Sequence, residues 1–232
     1  MKILKPCVLV PRDQLCDEVL ARLQRYGSVC YKAEDRMKQT TSEFLGSIVE
    51  RGHESIIEHE KVTVLFIIDR GISHEIVRHR IASYSQESTR YCNYSKDKFG
   101  GEISVIEPFF FINKENAYRH WKEACLVAEK AYMALLEMNC SPQEARSVLP
   151  NSLKTEIVVT YNLREWRHFF RLRAASAAHP QMRQVAIPLL LLFKRELSVL
   201  FTDIEFDKKF PSEQYAEVVW TDGLLKPLGQ GI

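Results

Sequence analysis

The sequence predicts an α+β protein: a single domain over residues 1–232 with a mostly antiparallel sheet flanked by helices, including a long helix near the C-terminus. Three observations carry this. Apolar runs with the two-residue alternation of strands are interleaved with three-to-four-residue helical spacings. No glycine-rich phosphate loop and no internal repeat interrupts them. A chain of 232 residues, 46% hydrophobic and 27% charged, has the ordinary globular mix and enough length for one sizeable core.

The elements follow in order. ILKPCVLV, residues 3–10, reads as a strand in which Pro6 marks an edge or a strand start. In DQLCDEVLARLQRYG, Leu15, Val19 and Leu23 recur at helical spacing, with Gly27 as the expected C-cap. A second helix starts at Ser42, with Phe44, Leu45, Ile48 and Val49 as its apolar stripe, and Gly52 ends it. KVTVLFIIDRG is a buried strand, ISHEIVRHR has helical spacing, and the polar SYSQESTRYCNYSK is expected to loop. GEISVIEPFFF reads as a strand. Residues 114–138 form the longest amphipathic helix, with Trp121, Cys125, Ala128, Tyr132, Leu135 and Leu136 on its apolar side. Ser141 and Pro142 open a short helix that stops before Pro150. LKTEIVVTYN is a strand, NLREWRHFFRLR a helix from Asn162, and PQMRQVAIPLLLLFKRELSVLF a long buried helix kinked at Pro188. From Asp207 the chain is polar and expected to loop out.

Composition excludes several classes. Lys and Arg number 32 against 30 Asp and Glu, a net charge of +2, so bulk electrostatics gives no case for a nucleic-acid or membrane-surface binder. MKILKPCVLVPRDQ is too short in its apolar part for a signal peptide, and VAIPLLLLF is too short to span a bilayer. A cytoplasmic protein with reduced cysteines is expected. The six cysteines show no CxxC pair. His53 and His59, and His74 and His79, stand six and five apart, off a shared helix face, and HEIVRH is not HExxH, so no metal site is expected. Ser88 or Cys92 with His79 as base lacks any nucleophile elbow.

The arginines are more informative. RHRIASYSQEST, residues 78–89, puts Arg78, His79 and Arg80 before Ser83, Ser85, Gln86, Ser88 and Thr89, with Arg90 beyond. Guanidinium forks and hydroxyls bind phosphate oxygens, so the stretch suits a phosphate cradle; a solvated basic loop, or a single-strand binder stacking bases on Tyr84, Tyr91 and Tyr94, fits the residues too. Downstream, helical spacing sets Asn162, Trp166, Phe169 and Arg173 along one side of a helix and Arg164, His168 and Arg171 along another. So much positive charge with so few acids beside it calls for an anion nearby, and Arg146 is a further candidate.

These residues resemble a known family. RHR, seven residues, then Ser88 is the signature of the flavin-dependent thymidylate synthases, and the wider RHRxxSxxxxSxRY is met through Ser83, Arg90 and Tyr91. GHESIIEH at 52–59 resembles that family's upstream histidine-serine segment, EARSVLP its ARxxLP segment, and YNLREWRHFFRLR its Asn-x-Arg helix ending in Leu-Arg, all in family order. Ser85 and Gln86 depart from the commonest form of the motif, and Arg183 stands where the family more often has an acid.

The resemblance implies a homotetramer with active sites at subunit interfaces. It would make thymidylate from deoxyuridylate, with methylenetetrahydrofolate as carbon donor and FAD reduced by NADPH as hydride donor. Since the flavin carries the hydride, no metal and no cysteine nucleophile are needed. Carried over residue by residue, catalytic positions fall on Arg173, Ser88 and His53. FAD is expected at Ser55, Arg78, His79, Arg80, Gln86, Asn162, Arg164 and His168. Deoxyuridylate is expected at Glu75, Ile76, Val77, Arg78, Gln86, Glu87, Ser88, Thr89, Arg90, Arg146 and Arg173, with Ser88 and Arg90 near its phosphate. Arg173 would stabilise negative charge on the uracil ring. A nucleotide binder that kept the cradle and lost the reaction is the rival within the resemblance.

Overall fold

The structure, a computed structural model, describes residues 1–32 and 40–228. Seven strands and eight α-helices are interspersed in short runs along these residues, a mixed α and β chain. Pro6 does more than mark an edge. With no N–H and a fixed φ it splits the first apolar run into β1 (Lys2–Leu4) and β2 (Cys7–Pro11). β1 pairs in parallel with β5 (Ser104–Ile106), Lys2 opposite Ser104 and Leu4 opposite Ile106. β2 enters a five-stranded sheet, between β3 (Lys61–Asp69) and β7 (Glu217–Thr221) in the order β4-β6-β3-β2-β7. β4 is Ala82–Gln86 and β6 is Lys154–Asn162.

Two of these strands correct the sequence reading. Ala82–Gln86 is a strand despite its polarity, because at the end of the sheet only one edge pairs and exposed positions alternate with half-buried ones. The polar tail yields β7, whose half-buried valines and Trp220 pack although the residues before it are charged. Residues 229–232 of that tail lie outside the described residues. Of GEISVIEPFFF only Ser104–Ile106 is strand, and Phe109–Phe111 is a turn of 3₁₀ helix.

The chain divides into two compact units, one of Met1–Cys7, Phe66–Arg78 and Ser85–Ile157, the other of the described parts of Val8–Leu65, His79–Tyr84 and Val158–Ile232. In the first unit α3 (Arg70–Ile76) is capped by Asp69, whose carboxylate accepts from Ile72 N at 2.9 Å. α4 (Glu115–Glu137) buries Cys125 and Tyr132 among Tyr94, Ile103, Val105, Ala145 and Leu153. α5 (Pro142–Ala145) opens on Ser141, whose backbone N–H donates to Glu144 Oε2 at 2.8 Å.

In the second unit α1 (Asp17–Val29) runs past Gly27, which is no C-cap. A Cβ there would lie 2.7 Å from two ring carbons of Phe44, so the glycine permits close packing against α2 (Thr41–Glu50). The cap of α2 is Thr40, in a reciprocal box with Glu43. α6 (Leu163–Arg173) and α7 (Pro180–Glu196) share a fully buried aromatic cluster of Trp166, Phe169, Phe170 and Phe193, joined by Phe201 of α8 (Ser198–Phe201). Helix α7 continues through Pro188. The proline ring has no hydrogen for the Gln184 carbonyl one turn back, and Ala216 N, just before β7, donates to it at 2.9 Å instead.

Candidate active site

β6 runs directly into α6, and Asn162 serves both: it ends the strand, and its side chain caps the helix by accepting from Glu165 N at 2.8 Å. Leu163, Trp166, Phe169 and Phe170 face the core, which forces Arg164, His168 and Arg171 outward, as the spacing predicts. The same rotation carries Glu165 into the interior, where it is 7% exposed, and aims it at His79.

His79 is only 4% exposed, and both ring nitrogens are engaged. Nδ1 lies 2.8 Å from Glu165 Oε1, and Nε2 lies 3.2 Å from the Nε of half-buried Arg173. The rings of Phe169, His168 and Tyr161 surround the imidazole at centroid distances of 5.2, 5.4 and 5.9 Å. The Tyr84 hydroxyl donates to the His79 carbonyl, so its 3.0 Å contact with Tyr161 is one in which Tyr161 donates. Burial holds both phenols above their ordinary range, keeping them donors. Burial likewise holds His79 below the ordinary imidazole value, helped by the Arg173 charge and opposed by Glu165. The ring is therefore neutral at neutral pH.

His79, Glu165 and His168 also place three ligand-type atoms within 4.8 Å of one another. Two facts argue against a metal there. His79 has spent both nitrogens, and a guanidinium stands 3.2 Å from one of them, where a cation would meet its charge.

The outer face of α6 meets the GHESIIEH segment. Arg164 pairs with Glu58, and Arg167 Nε donates to Glu54 Oε1 at 3.0 Å. Arg167 is 1% exposed; it also forks onto Asp203 at 2.8 and 2.7 Å and donates to the Leu200 carbonyl. Arg171 reaches Glu54 and Asp203, each at 3.4 Å. The positive helix is thus balanced by acids from other segments, which corrects the expectation that it needs an external anion. His53 and Ser55 are exposed on either side of Glu54, and Arg80 is exposed after α3. Arg183 pairs with Asp207 and lies 5.2 Å over the Phe210 ring.

The remaining expected residues lie in the first unit. Ile76 is buried at the end of α3, Glu75 is half-buried, and Val77 and Arg78 are exposed. Gln86 Nε2 donates to Ser73 Oγ at 2.9 Å and Thr155 Oγ1 at 3.2 Å, so its side chain turns inward. Glu87 also faces the protein, accepting from Tyr94 OH at 2.8 Å and from Lys154 at 3.0 Å. Ser88 Oγ accepts from Arg90 N at 3.3 Å, and Arg146 Nη1 reaches the Thr89 hydroxyl at 3.4 Å, bringing the EARSVLP segment to the serine motif. Arg90 is exposed, its guanidinium 5.6 Å from the Tyr91 ring centre. Glu165, Tyr161 and Arg167 are absent from the sequence reading, which named Tyr84 only as a base-stacking ring. Glu165 carried a signal, as the one acid in the arginine-rich stretch 162–173.

Each unit of this α+β protein carries cations suited to anionic ligands: Arg78 and Arg90 are exposed in the first, and in the second Arg80 is exposed and a buried imidazole is tied to Arg173. Residues 16–197 match the model of the family described as thymidylate synthase complementing protein. The flavin-dependent thymidylate synthase of Geobacter sulfurreducens is 37% identical over 187 residues, 75% of this chain and 77% of that one. That of Corynebacterium aurimucosum is 35% identical over 211 residues, 82% of each chain. The UMP/dUMP methylase PolB from Streptomyces cacaoi, solved with 5-Br dUMP, shares the fold at a TM-score of 0.72, with 20% identity over 87% of this chain and 96% of that one. The chain belongs to the flavin-dependent thymidylate synthases.

Proposed function

We propose that the chain converts deoxyuridylate to thymidylate, taking the carbon from methylenetetrahydrofolate and the hydride from FAD reduced by NADPH. It works as one catalytic domain, in the cytoplasm, as a homotetramer whose active sites lie at subunit interfaces. The observation that carries the reading is Arg173: a half-buried guanidinium at the end of α6, held at Nε by a neutral histidine of the RHR motif. Such an arginine is preorganised to meet charge developing on a pyrimidine, since its own orientation costs nothing at the moment of reaction.

FAD, when bound, supplies the hydride chemistry. The chain's donor set suits its phosphates: Arg80, Arg164 and His168 are exposed in the second unit, and Arg78 is exposed in the first. Ser55 and the amide of Asn162 add neutral donors, and His53 is exposed two residues before Ser55. For deoxyuridylate, Arg90, Ser88 and Arg146 offer a phosphate its cations and hydroxyl, while Gln86, Glu87 and Thr89 shape the segment that carries them. Glu75, Ile76 and Val77 contribute the end of α3. None of the described helices is long and apolar enough to cross a membrane.

The purified protein is expected to be yellow and to form thymidylate from deoxyuridylate, methylenetetrahydrofolate and NADPH. A protein that neither binds added FAD nor forms product overturns the proposal. Arg173→Ala is expected to retain flavin and lose turnover, and full activity in that variant removes the role given to Arg173.

A further inference from the structure

We propose that Glu165 is a positioning residue for Arg173, acting through the tautomer of His79. The inference rests on Arg173 as the group that meets the pyrimidine. Arginine Nε carries a hydrogen and accepts nothing, so its 3.2 Å contact with His79 Nε2 has one sense: the arginine donates and the imidazole accepts. A neutral ring that accepts at Nε2 keeps its hydrogen on Nδ1. Nδ1 lies 2.8 Å from Glu165 Oε1, and a carboxylate accepts only. The three groups form one directional chain, from Arg173 to His79 to Glu165.

Without the carboxylate, nothing shown at Nδ1 selects that tautomer. A hydrogen on Nε2 would face the arginine N–H, donor against donor. Water does not readily substitute, because Glu165 is 7% and His79 4% exposed. Nor can the ring easily turn away: Phe169, His168 and Tyr161 enclose it, and Tyr84 holds its backbone carbonyl. Glu165 sits in the first turn of α6 and Arg173 in the last, eight residues or about 12 Å of helix apart. One imidazole therefore ties both ends of the helix together, and the acid at one end sets the donor geometry at the other.

Nitrogen NMR of protein labelled in its histidines reads the tautomer without catalysis, with the His79 signals assigned by their loss in His79→Gln. Wild type is expected to be protonated at Nδ1. A wild-type ring protonated at Nε2 overturns the proposal, even if no Glu165 variant folds. Glu165→Gln is expected to populate the Nε2-protonated form, and Glu165→Asp to restore the wild-type form in part.

By analogy with carboxylates that orient metal-bound histidines, Glu165→Gln is expected to lower kcat about 10- to 100-fold at unchanged FAD content. It is also expected to move the acid limb of the kcat profile to lower pH. The one neighbour favouring the imidazolium is then gone, while Arg173 and His168 of α6 and Tyr161 of β6 still face the ring, and Tyr84 of β4 its backbone carbonyl. A variant that merely yields less folded protein, with tautomer, kcat per bound flavin and acid limb unchanged, overturns the proposal. If wild type makes no thymidylate while the tautomer answers as expected, the reaction assignment fails and the relay stands.

Discussion

Arg167→Met tests whether the buried arginine, rather than the exposed arginines beside it, fastens α6. Methionine approximates the aliphatic length and removes every donor. The wild-type guanidinium makes four contacts: Glu54 at 3.0 Å, Asp203 at 2.8 and 2.7 Å, and the Leu200 carbonyl. Leaving a buried carbonyl unpartnered costs about 1–3 kcal/mol, and breaking a buried ion pair from one side costs about 3–5 kcal/mol. Two features pull toward the lower end. Asp203 is 45% exposed and rehydrates, and Glu54 keeps Arg164 and Arg171 within 3.7 and 3.4 Å. A loss of about 3 kcal/mol is expected, or about 6–12 °C in Tm for a chain of this size. Urea unfolding of the flavin-free protein, followed by circular dichroism at one protein concentration, measures it. Arg171→Met is the control: it contacts the same acids but is about half exposed, so a loss of about 1 kcal/mol or less is expected. An Arg167→Met protein within about 0.5 kcal/mol of wild type refutes the reasoning.

Three further outcomes are expected. Thr40→Ala removes the capping box of α2 and should cost about 1 kcal/mol in the same urea experiment. Gly27→Val should lower Tm, because even a Cβ meets the Phe44 ring at 2.7 Å, with overpacking costing about 1–3 kcal/mol; an unchanged melt would mean that α1 and α2 part freely. His79, held below the ordinary imidazole value, leaves the folded state with fewer protons than the unfolded one. Its stabilising contribution is full above about pH 6.5 and fades as pH falls toward the depressed value, so melts from pH 8 to pH 5 should decline with a slope that shrinks in His79→Gln.

Periodicity reached the long elements because burial imposes it: β3, β6, α4, α6 and α7 lie within a few residues of where their apolar spacing places them. It failed where one residue's partner lay far along the chain. Gly27 looked like a cap until Phe44 was seen against it. At Pro188 the sequence showed the carbonyl that would be left unserved, but not that Ala216 takes it. Ala82–Gln86 looked like a loop because an edge strand needs little apolar surface. In the candidate site, residue types and order singled out the arginines and His79 as candidates. Which acid meets which base was hidden, since Glu54, Asp203 and Glu165 reach their partners across 113, 36 and 86 positions of sequence.

The order β4-β6-β3-β2-β7 also bears on how the chain is made. β3 is complete by residue 69, yet its partner β6 begins only at residue 154. As the chain leaves the ribosome, one edge of an apolar strand waits through some 85 residues with its amides and carbonyls open. Both compact units are assembled from separated segments, so neither closes before residue 157 has been made. Folding is therefore dominated by late, long-range pairing, and the interval before β6 arrives is when the nascent chain is most exposed to aggregation.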